Sequence, residues 1–203
     1  KGFMGKVFRF LTSGESHGKC LNAIIEGIPA GIKIDSDLID LDLKRRQGGY
    51  GRGLRMQMEH DTVEIKSGVR FGKTTGSPIC LEIKNKDFEN WRIPMCSEEL
   101  NFNDVDILKK VAEKSFTKVR PGHADYAGSK KYNLEDLRDV LERSSARKTA
   151  IEVAVGAVAK LFLKEFGIEC SSEITQIGTA CCCDKFKEEI EKYKKCIFGL
   201  KLY

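Results

Sequence analysis

Ala150-Ile151-Glu152-Val153-Ala154-Val155-Gly156-Ala157-Val158-Ala159-Lys160-Leu161-Phe162-Leu163-Lys164-Glu165-Phe166 is the stretch that decides the fold. Ile151, Ala154, Val155, Val158, Ala159, Leu161 and Phe162 recur at helical spacing, and Gly167 follows as a C-cap. Ala154, Gly156 and Ala157 are small, so the predicted helix can sit close to its neighbours and be buried on most sides. Just upstream, Leu137, Val140 and Leu141 set up a second helical stripe, with Asn133 as its expected N-cap and Glu135 and Asp136 in the first turn. Short alternating or β-branched runs predict strands at 6–11, 23–28, 32–34, 62–65, 67–71 and 78–83. A short helix is expected over 38–46, capped by Ser36 or Asp37, and another over 103–116, with irregular chain at 86–100. Antiparallel strands flanking buried helices predict an α+β layered domain rather than a βαβ array.

The 203 residues are 41% hydrophobic and 32% charged, which excludes a disordered chain and allows one ordinary core. A formal net charge of +5 is too weak to announce nucleic acid, so any anion preference must be local. Glu26 and Glu152 interrupt the two longest apolar stretches, and neither is expected to span a bilayer. Of eight cysteines, Cys181, Cys182 and Cys183 are consecutive and the rest are scattered. None shows paired C-x-x-C spacing, so free thiols in a reducing cytoplasm are expected, with no metal site.

Three clusters carry chemistry. Thr12-Ser13-Gly14-Glu15-Ser16-His17-Gly18 places a Ser-His pair where the first strand ends, between glycines that permit close backbone approach. Arg120-Pro121-Gly122-His123-Ala124-Asp125 puts an imidazole within three residues of both a cation and a carboxylate. Either histidine could equally be a plain loop residue, and His60 reads as surface. Between Lys44 and Met58 lie five cations (Lys44, Arg45, Arg46, Arg52, Arg55) and no acid, threaded with glycines. Arginine forks and exposed N–H groups there suit a small polyanion, or RNA, or only solvent. Finally, Glu142-Arg143-Ser144-Ser145-Ala146-Arg147-Lys148-Thr149 lies between the two helical stretches. Cations at a helix start are locally unfavourable, which makes sense if an anion sits there with a serine as the cap.

Together these clusters resemble chorismate synthase. The resemblance runs through 14–18, Ile25-Glu26-Gly27-Ile28-Pro29-Ala30-Gly31, Arg45-Arg46-Gln47-Gly48-Gly49-Tyr50-Gly51-Arg52-Gly53, Ser67–Gly76, 120–125 and 143–147, in family order over roughly residues 6–178. It implies a carbon–oxygen lyase of aromatic amino acid biosynthesis in the shikimate pathway. That enzyme makes chorismate by anti-1,4-elimination of phosphate from 5-enolpyruvylshikimate-3-phosphate. The family needs reduced FMN, with NADPH only as an indirect reductant. It implies a cytoplasmic homotetramer with no nucleic-acid or membrane partner.

By the same resemblance, His17 protonates the departing phosphate and His123 protonates reduced flavin near N1. Ser16, Arg46, Arg52, Arg55, Arg120 and Arg147 would line the substrate site, and Arg143, Ser144 and Ser145 would touch FMN. The implied fold is a β-α-β sandwich, helices between two antiparallel sheets, present here only in part. Family chains are nearly twice as long, and local resemblance fades from about residue 180. The second sheet, most FMN contacts and a C-terminal Arg/Asp cluster lack counterparts, so residues 1–203 are expected to be one incomplete domain. An inactive remnant of the synthase and an Arg/Gly-loop RNA-binding module are the competing readings. Only the first of these rivals also accounts for the two histidines.

Overall fold

A computed structural model describes residues 7–48, 60–172, 176–177 and 180–181. Arg52, Arg55 and the glycine-rich loop beyond Gly48 lie outside the described residues, as do Cys182, Cys183 and Cys196. The chain forms two compact units, Lys1–Gly167 and Ile168–Tyr203. In the second, β7 (Gln176–Ile177) pairs with β8 (Ala180–Cys181).

The first unit is built on a four-stranded antiparallel sheet in the order β1-β2-β6-β3. Its strands are β1 (Arg9–Ser13), β2 (Cys20–Glu26), β3 (Glu64–Ser67) and β6 (Ile79–Lys84), with β4 (Val69–Arg70) and β5 (Lys73–Thr74) forming a small hairpin beside it. Alternation decides which face is covered. Leu21, Ala23 and Ile25 of β2 register with Ile83, Leu81 and Ile79 of β6, and all six are buried. The opposite face carries Leu11 and Ile24, both exposed.

Two helices cover the buried face. α1 (Ser36–Gln47) contributes Ile39 and Leu43, one turn apart, and the long helix of Thr149–Lys164 contributes Ala150, Ile151, Ala154, Val155, Ala157 and Val158. Each fully buried Leu or Ile stabilises this layer by about 1.5–3 kcal/mol. The architecture is therefore α+β, antiparallel strands against helices, as the sequence pattern predicts.

Local expectations fail where chain partners outrank propensity. Residues 32–34 form one isolated bridge, Lys33 with Lys73, rather than a strand. The α1 cap is Asp35, whose carboxylate accepts from Asp37 N–H at 3.1 Å, and not Ser36 or Asp37. The expected helix at 103–116 shortens to α2 (Val105–Ala112), and a 3-10 turn forms at Lys86–Trp91. α3 (Asp125–Tyr132) is absent from the sequence reading. Asn133, expected to start the next helix, instead closes α3 in the left-handed region at φ 54°. α4 (Arg138–Ser144) then ends at Ser145, whose extended backbone turns the chain into a 3-10 turn (Ala146–Lys148) and on into α5 (Thr149–Lys164). Ser144 and Ser145 make no side-chain cap. The Ser144 hydroxyl donates back to Val140 C=O at 2.6 Å.

Candidate active site

The loop after β1 is shaped by close packing. Gly14 has φ +100°, and a Cβ there would lie 2.3 Å from Cys20 C=O, so only glycine fits. Gly18 is less constrained, since its added Cβ would meet chiefly the movable Glu15 side chain. Buried Asn85 pins the loop, donating from Nδ2 to Glu15 C=O (3.1 Å) and Gly18 C=O (2.8 Å). Ser16, also buried, donates its backbone N–H to Glu142 C=O at 2.9 Å.

His17 is clamped on two sides. Its Nδ1 lies 2.8 and 3.0 Å from the two Glu142 carboxylate oxygens, and its backbone N–H donates to Glu142 Oε2 at 2.7 Å. The ring stacks on Trp91 with centroids 3.9 Å apart. Glu142 is completely buried. Burial alone would raise its pKa, but hydrogen bonds and charge from His17, then Arg138, outweigh it and hold the carboxyl below its ordinary value. An ionised carboxylate can only accept, so Glu142 offers acceptor oxygens to both the His17 backbone N–H and its Nδ1.

His123 sits in a comparable clamp in the loop before α3. Its Nδ1 is 2.9 Å from Asp125 Oδ1 and 2.9 Å from Arg120 Nη2. Arg120 grips the same carboxylate with Nε (2.8 Å), Nη2 (2.9 Å) and its backbone N–H (3.0 Å). The Arg120 fork, against the pull of burial, holds Asp125 well below the usual carboxylate range. A run of contacts connects the two imidazoles. The Arg138 guanidinium lies over both Trp91 (5.1 Å) and Phe116 (5.0 Å) and donates to Glu142, while Arg120 lies over Phe116 at 5.2 Å.

A second cluster adjoins the His17 loop through Asn85. Arg147, only 7% exposed, donates from Nε to Asn85 Oδ1 (2.9 Å) and from Nη1 to both Asp61 oxygens (2.7 Å each). Arg46 reaches the same carboxylate at 3.7 Å and bonds Thr149 Oγ1 and Ala146 C=O. It belongs to this inward network and not to a solvated loop. Arg143 donates to Thr12 C=O (2.7 Å) and Oγ1 (2.8 Å), tying β1 to α4.

Thus Ser16, His17, Arg46, Arg143 and Arg147 converge around the β1–β2 loop, and Arg120 and His123 reach it through the aromatic contacts. Ser145 is half-buried at the bend. Sequence reasoning missed Glu142, Trp91, Asn85, Asp61 and Arg138. Two signals were available: Arg138 and Glu142 are spaced i, i+4, and Trp91 is the single tryptophan. Among the described residues no group of three or more His, Cys, Asp or Glu could hold a metal ion.

A sequence model described as chorismate synthase matches residues 8–198, extending past the point where the motifs fade. The chorismate synthase of Lactococcus lactis subsp. cremoris (strain MG1363) is 55% identical over 170 residues, 84% of this chain and 42% of that protein. That of Aquifex aeolicus (strain VF5) is 52% identical over 189 residues, covering 93% of this chain and 44% of the relative. A crystal structure of chorismate synthase superposes with a TM-score of 0.64 at 44% identity, over 92% of this chain and 41% of that one. The chain therefore spans about two fifths of the length of the relatives it matches. With this likeness and the clamped histidines in view, the chain belongs to the chorismate synthase family.

Proposed function

We propose that this chain carries the proton-donating and anion-binding part of a chorismate synthase site. The reaction is elimination of phosphate and a ring hydrogen from 5-enolpyruvylshikimate-3-phosphate, in aromatic amino acid biosynthesis. The observation that carries this reading is the pair of imidazoles, each held through Nδ1 by a fully buried carboxylate beside arginines. In this reading His17, as the imidazolium, gives its Nε2 proton to the phosphate oxygen as the carbon–oxygen bond breaks, and is left as the neutral Nδ1–H ring beside Glu142. Ser16 and the arginines at 46, 52, 55, 120 and 147 hold the substrate's carboxylates and phosphate. His123 would hold a proton for the flavin when it is bound.

When bound, reduced FMN would supply electron density to the reacting ring. In this reading the described residues would hold only an edge of it. Ser145 and His123 are polar and partly accessible, while Arg143 and Ser144 are engaged with Thr12, Gly14 and Val140. NADPH, if used, acts outside this site as an indirect reductant. The active assembly in this reading is a cytoplasmic homotetramer of longer chains, and residues 1–203 are one incomplete domain.

The test is turnover in a full-length context. His17→Ala and His123→Ala should each lower it by roughly 10²–10⁴-fold, with much smaller changes in substrate affinity. Near-normal turnover in both would overturn the acid roles.

A further inference from the structure

Glu142 is an expensive residue to bury. An ionised carboxylate removed from water costs several kcal/mol unless well paired. Satisfying the His17 backbone N–H would need one acceptor, and an amide side chain could provide it. Instead Oε1 meets Nδ1 at 2.8 Å and Arg138 Nη1 at 3.2 Å, while Oε2 takes the backbone N–H at 2.7 Å and shares Nδ1 at 3.0 Å. The carboxylate thus holds both ends of one residue. Trp91 fixes the remaining freedom, since a ring stacked at 3.9 Å cannot rotate about its Cβ–Cγ bond without losing that contact. Trp91 is itself tied by Nε1–H to Asp87 Oδ2 at 3.1 Å and overlaid by Arg138, which returns to Glu142.

We propose that Glu142 is a positioning residue which, with the ring of Trp91, holds His17 in the Nδ1–H tautomer and aims Nε2 at the reacting group. The catalytic half of this statement rests on the acid role given to His17 above. The tautomer half does not. A flipped ring would turn the carbon edge toward the substrate, and the other tautomer would leave Glu142 facing a bare nitrogen lone pair.

The experiment uses side-chain ¹H–¹⁵N correlation spectra of the 203-residue chain, whose three histidines make a simple set, with His17 assigned through His17→Asn. The expected wild-type pattern is a protonated Nδ1 and a bare Nε2 in the neutral ring. Glu142→Gln, which can either donate or accept, should mix or invert that pattern. In the full-length context Glu142→Gln should lower turnover by roughly 10–10²-fold, part of the acid contribution, with KM changed less than about twofold. Glu142→Asp, which keeps the charge, should recover part of the loss. A wild-type Nε2–H tautomer overturns the proposal even if Glu142→Gln fails to fold, and so does an unchanged tautomer in a folded Glu142→Gln. Indifference of turnover to His17→Ala would overturn the acid role of His17 and leave the tautomer result standing.

Discussion

Asp61 shows what a single side chain holds together. Its buried carboxylate faces Arg147 at 2.7 Å and Arg46 at 3.7 Å, and its backbone N–H bonds Gln47. Removing one member of a buried pair leaves the other charge without compensation, which typically costs about 3–5 kcal/mol. Asp61→Ala should therefore destabilise the chain by about that much in urea denaturation. A loss below about 1 kcal/mol would show that these arginines are not organised by Asp61. Asp125 adds a pH signature. Its pKa is depressed in the folded chain by the Arg120 fork, so its contribution is complete above the unfolded carboxylate value of about 4 and is lost as pH falls through the lower folded value. Glu142 acts in the same direction, its burial outweighed by bonds to His17 and Arg138. Asp125→Asn should be less stable than wild type near neutrality, by a gap in thermal midpoint that narrows as pH drops from about 4 to about 2. A constant gap across that range would contradict the Arg120–Asp125 assignment.

Between elements, the contact of α3 with α4 rests on one glycine. A Cβ on Gly128 would meet Val140 Cγ1 at 2.4 Å and Cγ2 at 2.7 Å. Gly128→Ala should cost roughly 1–3 kcal/mol by overpacking, and Val140→Ala should relieve much of it, so the double variant is less impaired than the two single losses added. Simple additivity would place the helices further apart than described here. This pair also illustrates what local sequence conveys. The apolar stripe of α5 announces itself because one face is buried along several turns. Asp125-Tyr126-Ala127-Gly128-Ser129-Lys130-Lys131-Tyr132 has no such stripe, and its helix is stabilised by the Asp125 carboxylate, Gly128 packing and the Asn133 left-handed cap. Asn133 is as good a helix start as a helix stop, and only the fold decides. The site divides the same way. Both histidine loops were legible as polar residues among glycines, whereas Glu142 lies 125 positions from His17, a pairing set by folding alone.

For the whole molecule, the decisive fact is its share of the family's length, 42–44% of the relatives. Apolar side chains remain exposed on both layers, Leu38 and Leu41 on α1 and Leu11 and Ile24 on the outer sheet face. Such surface tends to be covered by association. The 203-residue chain should self-associate in size-exclusion chromatography with light scattering, bind FMN weakly or not at all, and form no chorismate with chemically reduced FMN. Positioning of cofactor against substrate accounts for several kcal/mol of such a barrier, about 7–11 at the upper end, and in the function proposed above this chain supplies only an edge of that site. Clear turnover by the isolated chain would sink this expectation.

Trp91 has one more consequence. It is the chain's sole indole, and its ring rests against the imidazole assigned to proton donation. Every photon the protein emits under selective indole excitation therefore originates in van der Waals contact with His17. A charged imidazolium is an efficient quencher at that range, so the chain carries a built-in optical gauge of the loop after β1. Opening of that loop, or an anion settling against the ring, would register as a change in emission without any label.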